Sequence, residues 1–499
     1  MKILFLPRLL ALGLAFAGTA SVQADVKLHG LFTDGTVLQR DREVPVWGTG
    51  SDGEKVTVKF TDQEISTTVR DGRWMVKLKP LKAGGPFTLT VIAGNTVTVT
   101  NLLVGEVWLC SGQSNMGFQL SRAANAQEAI AAAGDPELRL FSVPHEATDE
   151  PLRDISGQWK TSTPETAASF SAVAYFFGRD LRRALKVPIG LIDSSVGGTP
   201  AEAWTSRETL ENNPELKQIL KRHDESVRAY DPAKAEENYR RELKKSSEAA
   251  KSADTANPPA RKPSKAANPA RASKRPGGLY NAMIAPLQPY ALAGAIWYQG
   301  EANSGRAAEY QTLFPALIQN WRQAWGQGEF PFLFVQIAPN ARMTPEIREA
   351  QLRTWQKVPR TAMVVSADIG EANDIHPKKK EPVGARLALA ARAIAYNEKI
   401  EYSGPVFDRL TIAENRAILS FTHTGSGIVA KGETLKGFTI AGADKKFVPA
   451  DWKIIGFALE VSSKEVPNPV AVRYGWDNVP DINLFNKEGL PATPFRTDP

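Results

Sequence analysis

Ser114 stands in Gly112-Gln113-Ser114-Asn115-Met116, directly after the apolar run Val107-Trp108-Leu109-Cys110. A bulky apolar run broken by glycine reads as a buried strand with a serine left at its end, and strand ends are where open α/β sheets bind ligands. The hydroxyl suits two roles there, a nucleophile or a cap on a helix starting near Asn115. A serine nucleophile needs a base, and near neutral pH that base is most often histidine. The chain has five: His29, His145, His223, His376 and His423. His376 alone follows a sheet-type strand, in Asp374-Ile375-His376-Pro377, with a carboxylate two residues before it and a proline behind. Two further strand ends carry polar or glycine-rich loops, Gly197-Gly198-Thr199 after the run 187–196 and Gln299-Gly300-Glu301-Ala302-Asn303 after the run 292–298. Paired glycines let backbone N–H groups approach a ligand closely, and a tight turn alone would also account for them. The G-x-S-x-G elbow of common α/β-hydrolases is absent around Ser114.

The segments that must position these loops alternate in type. Helix patterns cover 119–133, 172–185, 310–325, 346–357 and 383–396, and strand patterns cover 138–143, 187–192, 292–298, 332–337 and 362–367. This alternation predicts right-handed βαβ units, hence a mostly parallel sheet with helices on both faces. On either side the period shortens. Residues 26–101 alternate in short bursts such as Val44-Pro45-Val46-Trp47, the pattern of a β-sandwich or jelly roll, and β patterns return from Tyr402. Trp47 and Trp74 within those bursts read as core rather than as sugar-binding platforms. The division expected is a β-rich accessory segment over 25–101, an α/β sheet domain over 102–400 with an insertion at 231–277, and a β-rich segment over 401–499.

Lys2 and Arg8, the apolar run 9–17 and the small-residue stretch Val22-Gln23-Ala24 form a secretory signal peptide over 1–24, so the mature protein is expected in the periplasm or outside the cell. No later stretch reaches twenty apolar residues, so no transmembrane segment is expected. Cys110 is the only cysteine, which excludes an intrachain disulfide and a cysteine-based metal site. The formal charge of +7 is local: residues 231–275 hold 12 Lys or Arg against 6 Asp or Glu, and with that surplus and the two leader cations set aside the rest of the chain carries −1. Nucleic-acid binding therefore has little electrostatic support. Within the insertion the first half suits a charged helix, whereas 252–277, rich in Pro, Lys and Ala, is expected to be disordered or loosely held.

Taken together, Gly112-Gln113-Ser114-Asn115-Met116, Gly197-Gly198-Thr199 with Glu202 and Trp204, Trp297-Tyr298-Gln299-Gly300-Glu301, and Asp374-Ile375-His376-Pro377 with Gly384, Arg386 and Leu387 resemble the sialate O-acetylesterase family of SGNH-type carbohydrate esterases. The resemblance spans nearly the whole mature chain, from Asp34-Gly35-Thr36 to Pro494-Phe495-Arg496. It implies a flavodoxin-like three-layer α/β domain, flanked by the β-sandwich-like segments, that removes acetyl groups from mono-, oligo- or polysaccharides without metal or other cofactor. Ser114 would then be the nucleophile and His376 its base. The oxyanion would be held by the N–H groups of Ser114 and Gly198 with a side-chain amide, Gln299 first and Asn303 second. The wider SGNH pattern puts the acid three residues before the histidine, where this chain has Asn373. Asp374 takes its place as orienter, with Glu301 the competing carboxylate. A catalytically silent carbohydrate-binding protein on the same fold is the rival expectation.

Overall fold

The computed structural model describes Met1, residues 25–252 and residues 263–498; beyond Met1, the expected leader lies outside the described residues. The strand β1, Thr96–Gly112, organises the molecule. Its first part pairs antiparallel with Gly84–Ile92 and keeps one face largely exposed, whereas every residue from Leu103 to Gly112 is buried. An antiparallel strand with a solvated face alternates, and a parallel strand covered on both faces is a continuous apolar run. Both regimes occur in this one strand, which passes through residue 101 unbroken.

Six more strands complete the central array: β2 (Asp135–Ser142), β3 (Lys160–Ser162), β4 (Ile189–Ser195), β5 (Gly294–Tyr298), β6 (Phe332–Val335) and β7 (Thr361–Val364). Their order is β3-β2-β4-β1-β5-β6-β7, and all neighbours run parallel except β2 and β3. Helices α1 (Ala172–Leu185) and α4 (Glu381–Ile394) cover one face, sharing a core with Trp108, Cys110 and Tyr298. Helices α2 (Ala307–Trp325) and α3 (Pro345–Lys357) cover the other, around Leu109, Trp297 and Phe334. At Gly384 the two helices of the first pair nearly touch, since a Cβ there would lie 2.5 Å from Phe176 Cβ. The alternation read from the sequence thus yields the mixed α/β architecture with a large, mostly parallel sheet.

The amino-terminal strands form one sheet from Lys27–Leu28, Val44–Thr49 and Arg73–Leu78, and Lys55–Phe60, Gln63–Thr68 and Gly84–Ile92 extend the array through β1. Trp47 and Trp74 are buried there, as core. Val46, Val58 and Leu89 belong to the same apolar cluster as Leu109 and Trp297. From Val406 onward, small antiparallel sheets enclose a separate core around Leu419, Ile440, Val461 and Tyr474. Arg496 and Glu349, 3.0 Å apart, and Arg348, donating to the Asp477 carbonyl, tie them to α3.

Three sequence expectations need correction. No helix starts at Asn115: the chain turns at Ser114, with the N–H groups of Met116 and Gly117 both donating to Gln113 O, and Ser114 caps nothing. The expected helix over 119–133 is a 3₁₀ turn, Leu120–Arg122, and a short helix, Ala126–Ala131. Between them Ala124 N–H donates to Lys378 O and Asn125 Nδ2 lies 2.5 Å from Glu381, so tertiary bonds override the helix propensity of alanine. In the insertion the charged helix is present, Pro232–Ser252, and residues 253–262 lie outside the described residues. Its far end is not loose. Arg275 is buried, donating to Asp149 Oδ1 at 3.0 Å and Ala147 O at 2.8 Å, and Gly277 N–H donates to Glu202 O at 3.0 Å. Composition does not reveal such a guanidinium, because the Asp149 carboxylate and the Ala147 carbonyl that hold it lie more than a hundred residues away. Among the described residues no helix is long and apolar enough to cross a membrane.

Candidate active site

Register explains why distant loops meet. Gly112 pairs with Ser195 of β4 on one side and Tyr298 of β5 on the other, so all three strands end level. Ser114, Gly197 and Gly300 each fall two residues past that line. Gly112 itself, at φ +139°, admits no side chain, since a Cβ would lie 2.2 Å from Tyr298 O. Gly197 lies against Ser114, where its own Cβ would be 3.4 Å from that of the serine.

His376 arrives from the edge strand β7 by a long loop. Arg386 on α4 braces it with paired bonds to Asp368 at 2.8 and 2.7 Å and a third to Val365 O at 2.6 Å. The loop brings His376 Nε2 within 2.7 Å of Ser114 Oγ. In the tautomer protonated at Nδ1 the Ser114 hydroxyl donates to Nε2. Asp374 accepts the His376 backbone N–H at 2.8 Å, and its Oδ1 lies 3.9 Å from Nδ1, beyond hydrogen-bond reach. Burial, then the charge of Lys380, pull the imidazole below its ordinary pKa, and Asp374 opposes them. The other four histidines are elsewhere: His29 is beside Asp154 and His423 beside Glu401, and neither His145 nor His223 contacts this pair.

Glu301 is buried but does not touch the imidazole. Asn115 Nδ2 donates to its Oε1 at 2.5 Å and to Ile375 O at 3.0 Å, while Lys380 Nζ donates to Asn115 Oδ1 at 2.5 Å. Gln299 is fully buried, and its Nε2 donates to Asn303 Oδ1 at 2.7 Å and Thr199 O at 3.3 Å. Asn303 donates to Glu202 at 2.8 Å, and Glu202 in turn accepts from Arg306 at 2.6 Å. Among the described residues, the N–H groups of Ser114 and Gly198 donate to no other protein atom. A cavity of about 530 Å³ opens here, lined by Gln113, Gly198, Glu202, Lys274, Glu301 and Arg306 among others. No three His, Cys, Asp or Glu side chains among the described residues converge as metal ligands would.

Sequence reading singled out Ser114, His376 and the carboxylates but missed Asn115 and Lys380 as a bonded pair. Asn115 was visible beside the serine without a partner to give it meaning. Lys380 follows two exposed lysines of the same type; the one usable signal is its place four residues before Gly384, on the inward face at the start of α4.

Known proteins define the class first. A family model described as a sialic acid-specific acetylesterase, a carbohydrate esterase, matches residues 267–393. The crystal structure of a carbohydrate acetylesterase from Xanthomonas citri superposes with a TM-score of 0.81 at 38% identity, covering 95% of this chain and 100% of that one. Sialate O-acetylesterases from Rattus norvegicus and Homo sapiens are 34% and 31% identical, each over 92% of this chain and over 92% and 90% of their own lengths. The chain belongs to the sialate O-acetylesterase family.

Proposed function

We propose that this protein is an exported carbohydrate O-acetylesterase that hydrolyses acetyl esters on sialic acid or other acetylated glycans, on an SGNH-type three-layer fold, through an acetyl-serine intermediate. The observation that carries the mechanism is the 2.7 Å approach of Ser114 Oγ to His376 Nε2 at the level end of three parallel strands. Ser114 Oγ attacks the ester carbonyl as His376 takes its proton, and the imidazolium returns that proton to the departing sugar oxygen. Water, deprotonated by the same nitrogen, then attacks the acetyl-serine, and the imidazolium returns the proton to Ser114 Oγ as the acyl bond breaks and acetate leaves.

Charge developing on the carbonyl oxygen falls to donors already in place. The Ser114 and Gly198 N–H groups, free of protein acceptors, suit that role. Of the two side-chain amides, Gln299 has both hydrogens engaged, whereas Asn303 spends one on Glu202, which supports Asn303. Asp374, the carboxylate nearer the imidazole, orients it and offsets its charge.

Purified protein releasing acetate from 4-nitrophenyl acetate and from acetylated sialic acid, with Ser114→Ala losing at least about a thousandfold in kcat, is the expected result. The variant should melt within about 2 °C of the parent, since a half-buried serine hydroxyl contributes little to stability. Turnover by the variant within tenfold of wild type removes Ser114 from the mechanism. Absence of acetate release from any acetylated glycan by the parent returns the reading to a silent carbohydrate-binding protein.

A further inference from the structure

We infer that Lys380 is a positioning residue for the Ser114–His376 pair: its buried ammonium anchors Asn115, so joining the nucleophile turn, the base loop and Glu301, and holds a positive charge at the Phe118 ring that His376 also faces. This deepens the proposed mechanism and rests on it.

The geometry is that of one hub. Asn115, next to Ser114 in the chain, uses its amide to hold Ile375 O, next to His376, so one side chain fixes the spacing between nucleophile and base. The same amide bonds Glu301, and its oxygen is held by Lys380. Lys380 is 1% exposed, with Nζ 4.8 Å from the Phe118 ring centre and 5.2 Å from that of Tyr298. The His376 ring lies 6.5 Å from the same Phe118 ring. Lysine is almost never fully buried unless paired, and here, among the described residues, its hydrogen-bond partner is a neutral amide. Glu301, beyond that amide, keeps Oε2 buried and without a hydrogen-bond partner among the described residues. A core chosen for stability alone would not leave a lysine and a carboxylate in this arrangement.

Charge completes the argument. His376 faces Lys380 at the start of α4, Asp374 on its own loop and Arg122 from the 3₁₀ turn Leu120–Arg122; Lys380 faces Glu301, Asp374, Arg122 and Glu371. Arg122 and Glu371 are exposed and screened by solvent, whereas Lys380 is not. Burial lowers the Lys380 ammonium to about 7, so it still carries its charge in the acid range where His376 would gain a proton. A cation there disfavours imidazolium, and the base stays free to lower pH.

The test follows the His376 ring by NMR in the mature full-length protein, assigned by its loss in His376→Asn, together with the pH profile of kcat/KM on 4-nitrophenyl acetate. In the wild type His376 titrates below the ordinary histidine value of about 6.5. In Lys380→Met both the titration and the acid limb move to higher pH, and the rate at about pH 5.5, relative to the variant's own plateau, falls at least about threefold against wild type. Lys380→Arg, which keeps the charge, holds the limb in place, and KM changes little in either variant. An acid limb unmoved in Lys380→Met overturns the inference. So does a wild-type His376 titrating at or above about 6.5, a result that decides even if the variant fails to fold. If Ser114→Ala instead retains wild-type turnover, the mechanism fails, and the His376 titration still reports on Lys380 separately.

Discussion

Asp374 and Glu301 are both carboxylates near the Ser114–His376 pair, but they are held differently. Asp374 is partly exposed and tethered by the His376 N–H, with its oxygen 3.9 Å from Nδ1. Glu301 is buried against Asn115, and burial pushes its carboxyl above the usual range despite Lys380 nearby. A carboxylate that only approaches the imidazole contributes less than one bonded to it, which in a well-studied Ser-His-Asp enzyme is worth about four orders of magnitude. Asp374→Asn should therefore lower kcat by about 10- to 100-fold at pH 8 with little change in KM. Glu301→Gln, at the wall of the cavity, should act more on KM. Steady-state kinetics on both variants check this, and the reverse ranking in kcat transfers the orienting role to Glu301.

At the scale of elements, loops here are fixed by side chains that cross between them. Arg386 braces the base loop, Asn303 joins the loops after β4 and β5, and Arg275 clamps the end of the insertion to the segment 147–149. Arg275 leads directly into Gly277, which bonds Glu202 beside the cavity, and Lys274 lines that cavity. Removing the guanidinium takes a charged donor from the partly buried Ala147 carbonyl, and such a bond is worth up to about 1.5–3 kcal/mol. Arg275→Ala should lower the urea midpoint accordingly and raise KM for a glycan substrate more than for 4-nitrophenyl acetate. Unchanged stability would return the whole insertion to the role of a loose tether.

Across the whole molecule, β1 joins amino-terminal and parallel strands in one eleven-stranded sheet, and the amino-terminal strands share one apolar cluster with the helices α2 and α3. Val37–Gln39 even pairs in parallel with β1 at residues 103–105, inside the region expected to belong to the hydrolase alone. A chain beginning at residue 102 removes Val37, Leu38 and Leu89 from the apolar cluster that also holds Leu102, Val104 and Leu109, and should be insoluble or molten. Calorimetry of the intact protein should show the amino-terminal segment melting together with the parallel sheet. A separate early transition for residues 25–95, leaving activity intact, would contradict that coupling.

Local pattern by itself determined the element types: continuous apolar runs at β1, β4 and β5 and the 3.6 period of α1, α2 and α4 are imposed by burial on two faces and on one face, and both can be read from a single segment. The same runs placed Ser114, Gly198, Gln299 and His376 at strand ends, which was enough to assemble the candidate site. Tertiary structure alone decided what those residues touch. Whether the serine turn starts a helix depended on Gln113 O taking two N–H groups, whether Ala123-Ala124-Asn125 stays helical depended on Lys378 and Glu381, and whether Gln299 has a free hydrogen depended on Asn303 and Thr199. Lys380 is the extreme case, indistinguishable by type from the exposed Lys378 and Lys379, because burial and partner choice are set by the fold around a side chain and not by its own chemistry.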